Sequence, residues 1–241
     1  MPENFEIRKE VVLEATPEQV WRAIATPEEL AGWAPPPHEE PEGAVVDREP
    51  PRRLAIRTTE QPNGAFHAFE YVIEARDGGS TVLRFVHSGF LGDDWGAEFS
   101  YQELAGHGWD MYLHTLAQYL KHFPGRPATY VGAIAPTTAA TAGAWPVLEK
   151  GLGLTGPARL GERVRLTPEG LPPVEGVVDY AEPGDEPGGH FIAVRTRDGL
   201  YRFHNLSVMG MPIAVGHHIF ADIDREATES AWKSWLDRLF A

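Results

Sequence analysis

Ten histidines and no cysteine bound the chemistry open to this chain of 241 residues. Without cysteine there is no thiolate nucleophile, no disulfide and no Cys-based zinc site, so proton transfer and polar binding fall to histidine, tyrosine and the carboxylates. His87 is the best placed. A period-two alternation sets it with Leu83 and Phe85 on one face of an extended segment, where it could orient a ligand carbonyl or act as a general base. The plainer reading is a hydrogen-bonded, half-buried histidine with no catalytic role, since no carboxylate partner is visible in sequence. Tyr71 and Tyr112 are the neighbouring acid–base alternatives. His217 and His218 are adjacent, so on a strand they point to opposite faces and cannot chelate one metal together. Asp110 and His114 lie four residues apart in a helical pattern and read as a surface hydrogen bond or weak ion pair. Gly151-Leu152-Gly153-Leu154 and Gly188-Gly189 lack the context of a phosphate-cradling loop, and no serine stands in a nucleophile elbow. The expectation is no metal and no cofactor.

The elements that must position His87 are written in the punctuation. Phe5, Ile7, Val11 and Leu13 alternate with mostly charged residues, the pattern of a half-buried strand. Thr16-Pro17-Glu18-Gln19 is a capping box that opens a helix with Val20, Trp21 and Ile24 inward. Thr26-Pro27-Glu28-Glu29 repeats the device for a second short helix carrying Leu30 and Trp33. A meander follows, with extended segments over 43–49, 53–59, 65–76 and 80–90 separated by Pro50-Pro51, Pro62-Asn63-Gly64 and Gly78-Gly79. The Gly-Gly turn folds Phe69, Tyr71 and Ile73 against Leu83, Phe85 and His87, with Glu70, Glu74 and Arg84 facing away.

From Glu98 to Phe123 the period becomes helical, and Tyr101, Leu104, Trp109, Leu113, Leu116, Leu120 and Phe123 form one broad apolar stripe. Gly108 costs helix propensity, which suggests close approach of this helix to a neighbour or a ligand. Strand faces and helix stripe together define a candidate ligand-binding set of Phe69, Tyr71, Phe85, His87, Trp109, Tyr112, Leu113 and Leu116. Trp33 and Trp95 sit near loops that would rim the mouth. Aromatic residues at helical spacing are also ordinary core material, the assignment given to Trp21 and Trp232.

After the stiff Pro124-Gly125-Arg126-Pro127 the order of elements repeats in reduced form. A strand over 130–135 and a helix-like stretch over 138–152 lead to strands over 162–166, 174–181, 190–196, 200–205 and 213–221. A last helix capped by Asp224 carries Trp232, Trp235, Leu236, Leu239 and Phe240. Residues 1–126 are expected to form one domain and 127–241 a second, shortened and degenerate copy.

Ala15-Thr16-Pro17-Glu18-Gln19-Val20-Trp21, Thr26 to Leu30 with Trp33, Gly79 to Leu83 leading to His87-Ser88-Gly89-Phe90, and Gly108-Trp109 with Leu113, Leu116 and Leu120 together resemble the START-like helix-grip superfamily, also called SRPBCC or Bet v-like. The likeness is to its AHSA-type branch, related to an activator of a chaperone ATPase, and runs from about residue 5 to 123. The resemblance implies an α+β fold, a curved antiparallel sheet wrapped on a long C-terminal helix. It also implies a cavity between them that takes lipids, polyketides, hormones or other apolar compounds, used in some members for cyclisation or hydrolysis.

Lys and Arg number 21 against 35 Asp and Glu, a formal charge of −14 that disfavours nucleic acid and anionic membrane as partners. The charged N-terminus carries no signal-peptide core and no stretch is apolar enough to span a bilayer, so a cytoplasmic location is expected. The leading expectation is that the first domain binds or sequesters an apolar small molecule, with the second as a structural or homodimer-forming partner. The rivals are a cofactor-free cyclase or hydrolase using His87, Tyr71 or Tyr112 in the same cavity, and a chaperone co-regulator acting through its surface. An open apolar cavity, an open cavity with His87 paired to a carboxylate, and a filled interior are the observations that separate them.

Overall fold

A computed structural model describes residues 4–36, 43–93, 100–182 and 191–241. The chain divides into two compact units, Met1–Arg126 and Pro127–Ala241. Each is an antiparallel sheet with a helix at its C-terminal end, an α+β architecture in tandem.

In the first unit β1 (Asn4–Leu13) runs into α1 (Pro17–Ala25) through the expected capping box. The Gln19 N–H donates to Thr16 Oγ1 at 3.3 Å, and the Thr16 N–H donates to Gln19 Oε1 at 2.9 Å. The second Thr-Pro-Glu-Glu does not repeat this arrangement. The Thr26 hydroxyl instead donates back to the Arg22 carbonyl at 2.8 Å, and α2 (Pro27–Leu30) is a single turn. Then come β2 (Gly43–Glu49), β3 (Arg53–Thr58), β4 (Phe66–Arg76), β5 (Ser80–Phe90) and the long helix α3 (Tyr101–His122). Ser100 caps α3, accepting from the Glu103 N–H at 3.3 Å.

The sheet order is β1-β5-β4-β3-β2, so β5 closes the circuit by pairing with the first strand. The β4–β5 hairpin turns through Asp77, Gly78 and Gly79, with the two glycines at φ +83° and +79°, left-handed values that glycine adopts without strain. It fixes the register Ile73↔Leu83, Tyr71↔Phe85 and Phe69↔His87. Arg84 on the outer face binds Glu74 at 2.6 Å and Glu10 at 2.9 Å, as the alternation requires. The inner face packs on α1 and α3, with Leu13, Val20, Leu83, Phe85 and Leu116 fully buried.

The second unit repeats the circuit with one strand more and shorter helices. It comprises β6 (Thr129–Ile134), a 3₁₀ turn over 137–139, α4 (Ala144–Gly151), β7 (Arg163–Leu166), β8 (Val174–Glu182), β9 (Phe191–Arg195), β10 (Gly199–His204), β11 (Ala214–Ile219) and α5 (Arg225–Leu239). Its order β6-β11-β10-β9-β8-β7 again pairs the last strand with the first. Pro146 is tolerated because it falls in the first turn of α4, where backbone N–H groups have no helical partner in any case. Asp224 caps α5 through the Ala227 N–H at 3.0 Å. Among the described residues no helix is long and apolar enough to cross a membrane.

Candidate functional site

Between the sheet of the first unit and the N-terminal half of α3 lies a cleft of about 350 Å³. It is lined by His67 and Phe69 of β4, His87 of β5, and Tyr101, Ala105, Gly108, Trp109 and Tyr112 of α3. The helix residues recur at three- and four-residue steps and so share one face. Ala105 packs against Phe5, Ile7 and Leu91, but Gly108 carries no side chain, and a Cβ built on it would meet nothing within 4 Å. Gly108 therefore marks open space, not close approach to a protein neighbour. Further along the same helix Leu113, Leu116, Tyr119 and Leu120 are buried, and the seam is solid.

The ring that anchors the cleft is His87, only 4 % exposed. Its Nδ1 accepts the indole N–H of Trp109 at 2.9 Å, and its Nε2 lies 2.9 Å from Nδ1 of His67. An indole nitrogen can only donate, so Nδ1 of His87 carries no proton. The neutral ring is then protonated at Nε2 and donates to Nδ1 of His67, whose own proton is placed on Nε2. Direction is thus imposed from one end: Trp109 to His87 to His67. The electrostatics agree with neutral rings. Burial holds His87 down to about 3, with the neighbouring His67 adding to the fall, and burial also lowers His67. Burial raises Tyr101 and Tyr112, which stay protonated.

Aromatic packing holds the chain of rings in place. Phe69 stacks on His87 at 4.4 Å between centroids, Phe5 meets it edge-on at 4.9 Å, and Phe85 lies 4.1 Å from Trp109. Phe5 reaches across because Gly89 stands opposite it; a Cβ there would lie 2.2 Å from the Phe66 carbonyl oxygen and 3.0 Å from the Phe5 ring.

Of the residues singled out from sequence, Phe69, His87, Trp109 and Tyr112 come together around the cleft. Tyr71, Phe85, Leu113 and Leu116 lie beneath it as buried core. Trp33 is also core, 2 % exposed, with its indole N–H donated to the Ala23 carbonyl at 2.8 Å, so it does not rim a mouth. Trp95 lies outside the described residues, as does the acidic run His38 to Glu42. Asp110 pairs with Lys9 of β1 at 2.7 Å. His217 and His218 are both buried, and Gly151 ends α4 with Leu152 to Gly156 leading on toward β7, the reverse of a strand-to-helix dinucleotide-binding turn.

Sequence reasoning missed His67, Tyr101 and Ala105 as cleft residues. His67 was within reach, because extending the alternation of Tyr71 and Phe69 by one step puts it on the same face.

Residues 38–121 match the family described as Activator of Hsp90 ATPase homolog 1-like protein. The matched segment contains the Gly79 to Leu83, His87 to Phe90 and Gly108-Trp109 motifs, while the two Thr-Pro-Glu segments precede it. No curated protein matches the chain. Among solved structures, CalU16 from Micromonospora echinospora is 20% identical, covering 50% of this chain and 84% of its own, with a TM-score of 0.37. The Aha1 dimer from Colwellia psychrerythraea is 16% identical, covering 48% and 95%, at 0.38. DynU16, a protein of the dynemicin biosynthetic locus, is 15% identical and covers 97% and 96%, also at 0.38. The family match over residues 38–121, together with the strand–helix circuit, supports an AHSA-type, START-like (SRPBCC) family for the first unit.

Proposed function

We propose that the first unit holds an apolar small molecule in the cleft between β4, β5 and α3, and holds it without turning it over. The cleft itself carries this reading: about 350 Å³, walled by the rings of Phe69, Tyr101, Trp109 and Tyr112. That volume is at the small end of ligand sites, which span about 300–1,000 Å³.

The polar groups argue for binding over acid–base catalysis. A general acid or base needs a partner that can restore or accept its proton. Here the chain from His67 through His87 ends in an indole N–H, which neither yields nor takes a proton at neutral pH, and among the described residues no carboxylate pairs with His87. The open space over Gly108 weighs against a purely surface-acting role, for which a filled interior would suffice.

Gly108→Leu is the decisive variant, because it fills the cleft while replacing a poor helix former by a good one. Titration with the uncharged fluorophore N-phenyl-1-naphthylamine should saturate with the wild type and fail with the variant, whose melting temperature stays at or above that of the wild type. Absence of saturable binding to the wild type would refute the proposal.

A further inference from the structure

We infer that His67 presents a fixed N–H donor to the cleft, so the molecule selected there carries a hydrogen-bond acceptor, such as a carbonyl oxygen, on an otherwise apolar frame. The inference rests on the cleft being a ligand site and adds what that site selects.

The argument starts from Trp109. Its indole N–H, 2.9 Å from Nδ1 of His87, fixes the proton of His87 on Nε2. That proton points along the 2.9 Å contact to Nδ1 of His67, so His67 has its lone pair engaged and its hydrogen on Nε2. A histidine free in solution exchanges tautomers and can serve as donor or acceptor; this one is held as a donor by two hydrogen bonds behind it. His67 lines the cleft and is half-buried, so its donor meets an occupant where water competes weakly.

The other polar groups of the wall do not impose the same demand. Tyr101 and Tyr112 are phenols, and an O–H can rotate either to donate or to accept. An occupant bringing only a donor to His67 would set two N–H or O–H groups against each other, and one bringing only carbon would leave the donor unanswered.

The test uses fluorene and 9-fluorenone, which share a tricyclic frame and differ in carrying CH₂ or C=O. Affinities for the wild type and for His67→Phe are measured by quenching of tryptophan fluorescence. The ketone should bind the wild type about 3- to 10-fold more tightly, the worth of one neutral hydrogen bond. The ratio should fall to near one in His67→Phe. Equal affinities in the wild type would overturn the donor assignment while leaving the cleft as an apolar site, and binding of neither would overturn both. Nitrogen-15 spectra of the wild-type imidazoles supply a measurement that needs no variant. Unprotonated Nδ1 on both His67 and His87 is expected, and a protonated Nδ1 on His87 would overturn the inference.

Discussion

His87 on β5 and His217 on β11 occupy matching places. Each sits on the strand that closes its sheet onto the first strand, His87 opposite Ile7 and His217 opposite Val131, and each meets a tryptophan of the terminal helix. In the first unit the tryptophan turns its N–H to the histidine and a second imidazole continues the chain. In the second unit Trp232 packs edge-on against His217 at 4.5 Å, and Nδ1 of His217 accepts instead from the backbone N–H of Arg202 at 3.1 Å. Nε2 of His217 is left buried without a hydrogen-bond partner.

The place of His67, which pairs with the residue two beyond His87, belongs in the second unit to Gly199, which pairs with Ile219 two beyond His217. No side chain fits there easily, since a Cβ on Gly199 would lie 2.8 Å from the Tyr201 ring. Three residues after each tryptophan stand Tyr112, which lines a cleft, and Trp235, which is 3 % exposed. One circuit of strands and helix can therefore enclose a cleft or close over it. The choice lies in a few side-chain volumes along one helix face and in where one histidine finds its donor.

Acidification should give the largest effect, and it strikes both units. His67, His87, His204 and His217 all have lowered folded-state values, with His87 near 3 and His204 near 4, chiefly through burial. The unfolded chain takes up these protons near pH 6.5 and the folded chain does not. The stabilisation is complete above about 6.5 and is lost as pH falls from there toward 4 and 3, by at most about 1.4 kcal/mol per pH unit for each histidine. Urea midpoints measured from pH 7.5 down to 4.5 should fall steadily below 6.5; a flat profile would mean that the imidazoles are solvated.

Next in size is the contrast between the two tryptophans. Trp232→Ala should cost about 3–5 kcal/mol, as a large buried aromatic does, and Trp109→Ala distinctly less because one side of that ring faces the cleft. Equal losses in denaturant unfolding would break the distinction between open and closed seams. Gly89→Ala should cost about 1–3 kcal/mol by forcing Phe5 and the Phe66 backbone apart. Gly108→Ala is expected to be the mildest, stabilising by up to about 1 kcal/mol through helix propensity, since its methyl enters empty space. Thermal melts of the pair check the opposite signs.

Much of this contrast was legible in the residues and some was not. The Gly78-Gly79 turn and the alternation around it give the β4–β5 register, and hence the facing of His87 with Phe69, because a three-residue hairpin loop, Asp77 to Gly79, leaves little freedom. The apolar stripe of α3 is equally legible, but not where along it the sheet stops being reached. That depends on the missing side chain at Gly108 and the sizes of the residues across the gap from it. Tyr71, Phe85, Leu113 and Leu116 share the inner side with the cleft residues, and periodicity cannot tell a wall from the core beneath it. The contact of His87 with His67 is a diagonal across two strands, set by sheet twist and rotamers, which no pattern encodes.

The indole N–H resonances of Trp109 and Trp232 report on the two seams within one sample. On titration with N-phenyl-1-naphthylamine, the Trp109 resonance should move progressively to saturation while that of Trp232 stays in place. Movement of Trp232, or saturation of the probe with Trp109 unmoved, would contradict the assignment of ligand binding to the cleft of the first unit.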